Sequence, residues 1–221
     1  MTSNLISHFN FVNTIVQKYG ATLVAVSKKK PIEDIKTLYS AGQLQFGENY
    51  IQELETKARA LPKDIQWHFI GHLQSNKCKV ISDLVQEGYS VTVQTIDTIK
   101  LARKLNNSLG GHNMNVFVQV NTSQEDSKSG LKVQDCKFLV EQILTECKRL
   151  NLIGLMCIGA PNQPIPNPDF VNMNILGKEI NQKFNLNLKY SFGMSDDFEH
   201  ALEMKSGFVR VGSKIFGNRD K

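Results

Sequence analysis

The sequence predicts a single (β/α)8 barrel of the α/β class. Eight short apolar or β-branched runs alternate with helical patterns along 221 residues. Alternation of that kind makes a parallel sheet with crossover helices. Eight units favour closure into a barrel over an open sheet, and 221 residues lie at the small end for that fold. An open doubly wound sheet would want a glycine-rich phosphate turn after its first strand. Ser27-Lys28-Lys29-Lys30 contains no glycine.

The elements follow in order. Leu5, Phe9, Val12, Ile15, Val16 and Tyr19 recur at helical spacing until Gly20 stops them. Residues 1–20 are therefore expected to pack as a helix on the barrel, with 1–221 forming one domain. Residues 23–27 read as the first buried strand. Pro31 opens a helix whose face is Ile32, Ile35, Leu38 and Tyr39, and Gly42 sits at its C-terminal cap. Residues 45–47 are a short strand, followed by a helix over 49–60. Residues 67–70 make the third strand, ending at Gly71.

Residues 91–95 and 116–120 are β-rich, each followed by a helix-compatible segment. The second of these carries Val133, Cys136, Leu139, Val140, Ile143, Leu144 and Cys147 at helical spacing. Residues 152–158 supply the sixth strand. The Pro/Asn-rich stretch 161–168 is a surface loop. Phe170, Met173, Leu176, Ile180 and Phe184 make the next helix face. Residues 188–192 and 208–211 are the last two strands, with a helix over 196–205 between them.

Composition narrows the function. Hydrophobic content is 41% and charged content 21%, an ordinary soluble globular balance. The net charge of +5 comes from scattered basic residues without an aromatic-interleaved stripe, so nucleic acid is not the expected partner. A small anionic ligand suits a local basic site. Cys78, Cys136, Cys147 and Cys157 form no C-x-x-C pair and read as reduced thiols. The five histidines form no H-E-x-x-H, and no metal site is assigned. The N-terminus lacks a secretory signal pattern and no apolar run reaches membrane-spanning length. A soluble cytoplasmic protein is expected, with no membrane partner.

Lys28 carries the chemistry. A lysine at the end of a buried strand is costly unless its amine has work to do. Such an amine commonly forms a Schiff base with an aldehyde cofactor or a carbonyl substrate. The positive charge of Lys29 and Lys30 would lower its pKa towards the free amine. A solvated basic loop is the competing reading.

In a barrel, function sits where strands end. The polar residues there include Glu48-Asn49-Tyr50, His68, residues 72–77 and Asn121, then Gly193-Met194-Ser195, Arg210 and Gly212-Ser213. Loops after the seventh and eighth strands, opening onto helices, are the recurrent phosphate site of this fold. Gly193 and Gly212 allow close backbone approach, while Ser195 and Ser213 bring hydroxyls. A plain strand-to-helix turn is the alternative for 193–195.

Asp196 and Asp197 stand in tension with a phosphate, unless the Asp196-x-x-Glu199 capping box turns them away. Arg210 inside an apolar strand wants an acceptor or an anion, unless an edge position lets it reach solvent. Glu125-Asp126-Ser127-Lys128 reads as a polar loop, and His68 beside Trp67 as a structural histidine.

Several segments together resemble the pyridoxal phosphate homeostasis protein family. They are Ala25-Val26-Ser27-Lys28, Phe46-Gly47-Glu48-Asn49-Tyr50, residues 67–74, residues 123–130, residues 193–197 and residues 209–217. The resemblance runs from about Leu23 to Asp220, and its motifs come in the right order. That family looks like the barrel domain of alanine racemase without the second, β-rich domain.

The resemblance implies pyridoxal 5′-phosphate held as an internal aldimine on Lys28. It places Ser195, Gly212 and Ser213 at the phosphate, with Met194, Asn49 and His68 near the cofactor. Arg210 is implied to face the pyridine nitrogen. A threonine is common where Ser213 stands, a departure that keeps the hydroxyl.

A guanidinium at the pyridine nitrogen disfavours its protonation, which makes the ring a weak electron sink. Racemases of this fold add a base from a second domain, for which a chain ending at Lys221 leaves no room. The leading expectation is a protein that binds, buffers or delivers pyridoxal phosphate without catalytic turnover, sustaining vitamin B6 and amino-acid homeostasis. Its partners would be B6 vitamers and, transiently, apo-enzymes that use the cofactor, and a monomer is expected. The alternative is a barrel-only amino-acid racemase. A sugar-phosphate enzyme using Lys28 as an aldolase-type amine leaves Arg210 without a role.

Overall fold

A computed structural model describes residues 2–123 and 129–217. The polar-loop reading of Glu125-Asp126-Ser127-Lys128 lies outside the described residues. β1 (Thr22–Val26) pairs in parallel with β2 (Gln45–Glu48) on one side and β9 (Phe208–Val211) on the other. The ladder continues through β3 (Gln66–Phe69), β4 (Ser90–Ile96) and β5 (Met114–Asn121) to β7 (Leu150–Met156) and β8 (Lys189–Ser191). β8 pairs with β9, so these eight parallel strands close into a barrel. The two-residue β6 (Leu131–Lys132) only adds to the end of β5. This is the (β/α)8 architecture that the alternation predicts.

The barrel has two apolar regions because successive side chains on a strand point to opposite faces. Val24, Phe117, Met156 and Phe208 pack together as a small cluster distinct from the main core. The main core takes the other faces, Leu23, Ala25, Phe46 and Trp67 among them, together with the apolar stripes of the helices. α2 (Ile32–Ser40) shows the pattern in miniature. Ile35 and Leu38 are wholly buried, each contributing about 1.5–3 kcal/mol. Pro31 leads into the first turn, where its missing N–H costs nothing. α1 (Thr2–Lys18) buries Leu5, Phe9, Val12 and Val16 against α2, α8 (Phe198–Glu203) and α9 (Ser213–Phe216).

α3 (Ile51–Ala60), α5 (Ile99–Ser108), α6 (Cys136–Glu146) and α7 (Pro168–Phe184) lie where the sequence places helices. The sequence reading passes over α4 (Cys78–Gln86). Its buried residues Cys78, Ile81, Leu84 and Val85 are at helical spacing, but nine residues make a faint periodic signal. α8 is shorter than expected because the Asp197 carboxylate accepts from the Met194 N–H at 2.6 Å, holding 194–197 in a turn. All four cysteines are free and buried. Among the described residues no helix is long and apolar enough to cross a membrane.

Candidate functional site

Alternation along β1 decides where Lys28 points. Val24, Val26 and Lys28 share one face, with Val24 in the small apolar cluster and Val26 lining a cavity beyond it. On β9, Phe208, Arg210 and Gly212 share a face in the same way, and Val24 is in register with Arg210. The cavity measures about 270 Å³ and opens at the C-terminal ends of the strands. A volume of that order suits a single-ring ligand. It brings together Lys28, Asn49, Met194, Ser195, Arg210, Gly212 and Ser213, from four widely separated stretches of the chain.

His68 is the predicted site residue that does not line this cavity. It belongs to β3, two residues before Ile70, which does line it. A strand rises roughly 6–7 Å over two residues, so His68 lies one layer deeper. There its Nε2 meets Gln45 Oε1 at 2.6 Å and its Nδ1 meets Gln94 Nε2 at 2.9 Å. The Gln94 amide donates to Nδ1, which leaves the proton on Nε2 to donate to Gln45. The Ser191 hydroxyl donates to Gln94 Oε1 at 2.6 Å, and Arg210 Nη1 donates to Ser191 Oγ at 2.8 Å. Each group in this chain donates away from Arg210, so every oxygen or lone pair faces the buried cation.

Burial, with the Arg210 charge adding to it, pulls His68 down from an ordinary 6.5 to about 3. The folded protein therefore binds fewer protons here than the unfolded chain between those values. Its contribution to stability is full above 6.5 and is lost as the pH falls towards 3. Glu48 works oppositely, since burial raises it from 4.5 to about 7. Its contribution is full below 4.5 and is lost as the pH rises through about 7. His68→Gln, which keeps an acceptor and a donor, should remove the histidine's share alone. In urea titrations the variant should gain on the wild type below pH 6.5, by at most about 1.4 kcal/mol per pH unit. Parallel stability curves would refute the neutral, buried assignment.

Arg210 is 4% exposed. Besides Ser191 Oγ, its guanidinium donates to Ser191 O at 2.8 Å and to Cys157 O at 2.9 Å. The edge-strand reading is thereby set aside: β9 has partners on both sides and Arg210 reaches into the site. Burial lowers its pKa to about 10, which leaves it charged at neutral pH.

The turns after β8 and β9 meet at Ser195. Its hydroxyl oxygen accepts from Gly212 N–H at 3.2 Å and from Lys214 N–H at 3.3 Å. Gly193 has φ +93°, and a Cβ there would come within 2.3 Å of Ala201 Cβ. Only glycine satisfies both constraints. A Cβ on Gly212 would come no closer to the protein than 3.4 Å, at Val26. The two aspartates part company here. Asp197 serves the backbone turn in place of a capping box, while Asp196 lines the cavity.

Sequence reasoning passes over Lys30, Ile70, Ile158 and Gly217, which also line the cavity. Lys30 had the plainest signal, standing two residues after Lys28, and its Nζ donates to Phe216 O at 3.2 Å. Lys29 turns elsewhere, its ammonium 5.8 Å from the centre of the Tyr50 ring. Asn49 has a buried Oδ1 with no hydrogen-bond partner, an acceptor suited to a ligand that carries a donor. A side chain at Gly71 would collide with the Asn49 carbonyl at 2.0 Å, so glycine there permits the approach of the two loops.

Comparison with known proteins adds to this geometry. Residues 2–220 match the family model described as alanine racemase, N-terminal domain. The pyridoxal phosphate homeostasis protein of Schizosaccharomyces pombe is 44% identical over 202 residues, covering 89% of this chain and 84% of that one. The human protein of the same name is 42% identical over 216 residues, covering 90% and 76%. Among solved structures, PipY of Synechococcus elongatus with PLP bound matches at a TM-score of 0.82 and 28% identity, covering 96% of this chain and all of that one.

Proposed function

The chain belongs to the alanine racemase N-terminal domain family, and we propose that it binds pyridoxal 5′-phosphate to buffer and deliver it, maintaining intracellular vitamin B6 and amino-acid pools without turnover of its own. The observation that carries this reading is the convergence of Lys28, Ser195 and Arg210 on one cavity. The relatives named for pyridoxal phosphate homeostasis and the PLP-bound PipY barrel support it.

The residues fit the group chemically. The Lys28 amine suits its aldehyde. The hydroxyl of Ser195, whose oxygen already accepts from the N–H groups at 212 and 214 and so has its proton free to donate, and that of Ser213 suit its phosphate. The orphaned Asn49 oxygen suits its ring hydroxyl, and Arg210 donors suit its ring nitrogen. When bound, the group supplies a reactive aldehyde on an electron-withdrawing ring. This chain's residues would then have three tasks: Lys28 would present its amine to the aldehyde carbon, Ser195 and Ser213 would anchor the phosphate, and Arg210 would keep the ring nitrogen unprotonated. Met194, 40% exposed at the rim, and Ile158, 37% exposed, leave the mouth open to solvent, as release to an apo-enzyme requires. The working unit is a cytoplasmic monomer.

Ser195→Ala and Ser213→Ala test the phosphate assignment. Each should weaken pyridoxal phosphate binding by about 1.5–3 kcal/mol, the worth of a hydroxyl donor to a charged phosphate. Binding of pyridoxal, which lacks the phosphate, should barely change in a parallel titration. Equal losses for both ligands would put the phosphate elsewhere.

A further inference from the structure

The turn that carries Lys28 is held from behind the cavity, on both sides of that residue. Before it, Ser27 O accepts from Lys57 Nζ at 2.8 Å and from Lys30 N–H at 3.0 Å. After it, Lys29 N–H donates to Glu53 Oε2 at 2.7 Å. The two anchors are joined, because Lys57 Nζ also donates to that Glu53 oxygen at 2.8 Å. Its third hydrogen goes to Glu48 Oε1 at 2.8 Å, and the Ser27 hydroxyl donates to the same oxygen at 2.6 Å. All three ammonium protons of Lys57 are thus used.

This cluster is not surface decoration. Glu48 and Ser27 are wholly buried and Lys57 is 5% exposed, while Glu48, Glu53 and Lys57 stand outside the cavity lining. A charge network is seldom the most stabilising way to fill such a space, and fixing one geometry is the best-attested reason to keep one. The geometry in question is unusual. Lys29 has φ +58°, a left-handed conformation that a lysine keeps only when its surroundings impose it.

We propose that Lys57 and Glu53, anchored by Glu48, are positioning residues for Lys28. They fix the carbonyl before it and the amide after it, so the amine meets the cofactor aldehyde already oriented. The inference rests on reading Lys28 as the cofactor-linking amine. It assigns the bracket to covalent capture and not to general affinity for the phosphorylated ring. Orientation of this kind matters steeply, since misplacing a reacting group by about 1 Å costs up to 10²-fold.

Lys57→Met would strand buried Glu48 and is a poor first test. Glu53→Ala leaves the Lys57–Glu48 pair intact and frees Lys29 N–H. The experiment compares affinities for pyridoxal 5′-phosphate and for pyridoxine 5′-phosphate, which has an alcohol in place of the aldehyde. Borohydride trapping on Lys28 is measured alongside. Glu53→Ala should weaken the aldehyde ligand and slow its trapping roughly ten- to hundredfold, with the alcohol ligand unchanged within about twofold. Glu53→Gln, whose amide oxygen still accepts from Lys29 N–H, should restore most of the loss. Equal losses for the two ligands, or no loss for either, would overturn the positioning role. A wild-type protein that binds both ligands but traps nothing on Lys28 would overturn the functional reading instead, and the bracket's role with it.

Discussion

Lys28→Ala is expected to abolish the borohydride-reducible link to pyridoxal phosphate while leaving the barrel folded. The half-buried Lys28 side chain sits at the mouth, above the layer in which Val24 contributes to the apolar interior. Removing it therefore takes little from the core. The strand behind it keeps its ladders to β2 and β9, and Lys57 and Glu53 still hold the backbone on either side. Mass spectrometry after reduction should place the pyridoxyl group on Lys28 in the wild type. Lys30 is the control that matters most, because it lines the same cavity. An adduct on Lys30, Lys29 or Lys77 would overturn the assignment. The variant should keep non-covalent binding through its phosphate contacts, so loss of all binding would mean the site itself had collapsed.

The second large effect is an absence of catalysis. Arg210 remains charged at neutral pH and is held by Ser191 and Cys157, none of whose acceptor atoms is a carboxylate. A cation against the ring nitrogen makes its protonation costly, and an unprotonated ring is a poor sink for carbanion electrons. His68, beyond Ser191 and Gln94 in the hydrogen-bonded chain, is kept neutral by burial and does not line the cavity, so it is no proton donor to a ligand there. Racemisation, decarboxylation and transamination of alanine, serine and lysine by the purified protein should fall orders of magnitude below the enzyme range. Transfer of the cofactor to an apo-enzyme should proceed readily. A kcat of roughly 1 per second or above that vanished in Lys28→Ala would overturn the buffering role and favour an amino-acid racemase.

Most of the fold follows from patterns local to the chain. Short apolar, β-branched runs identify β1 and β9, and within a strand period-two alternation then puts Lys28 and Arg210 on the inward faces, because side-chain directions are set by the strand's own backbone. Alternation of strand and helix implies the parallel barrel, and the barrel implies that its C-terminal mouth is the working end. The glycine and serine spacing after β8 and β9 points to the same place. α4 is the element that locality hides, since its stripe is short.

Depth and partnership are different matters. His68 and Ile70 share an inward face, and nothing in their spacing says which of them reaches the cavity. That depends on where the closed barrel ends and the mouth begins. The chain from Arg210 through Ser191 and Gln94 to His68 and Gln45 joins side chains from five strands, and the aspartates after β8 separate only once the turn has folded. The bracket behind Lys28 is the clearest case. Glu53 and Lys57 stand i, i+4 on α3, a spacing that by itself says nothing about the backbone around Lys28. Only the packing of α3 against the ends of β1 and β2 brings that pair onto the backbone around Lys28. Local sequence sets which way a side chain faces, whereas closure of the sheet and docking of the helices set what it meets.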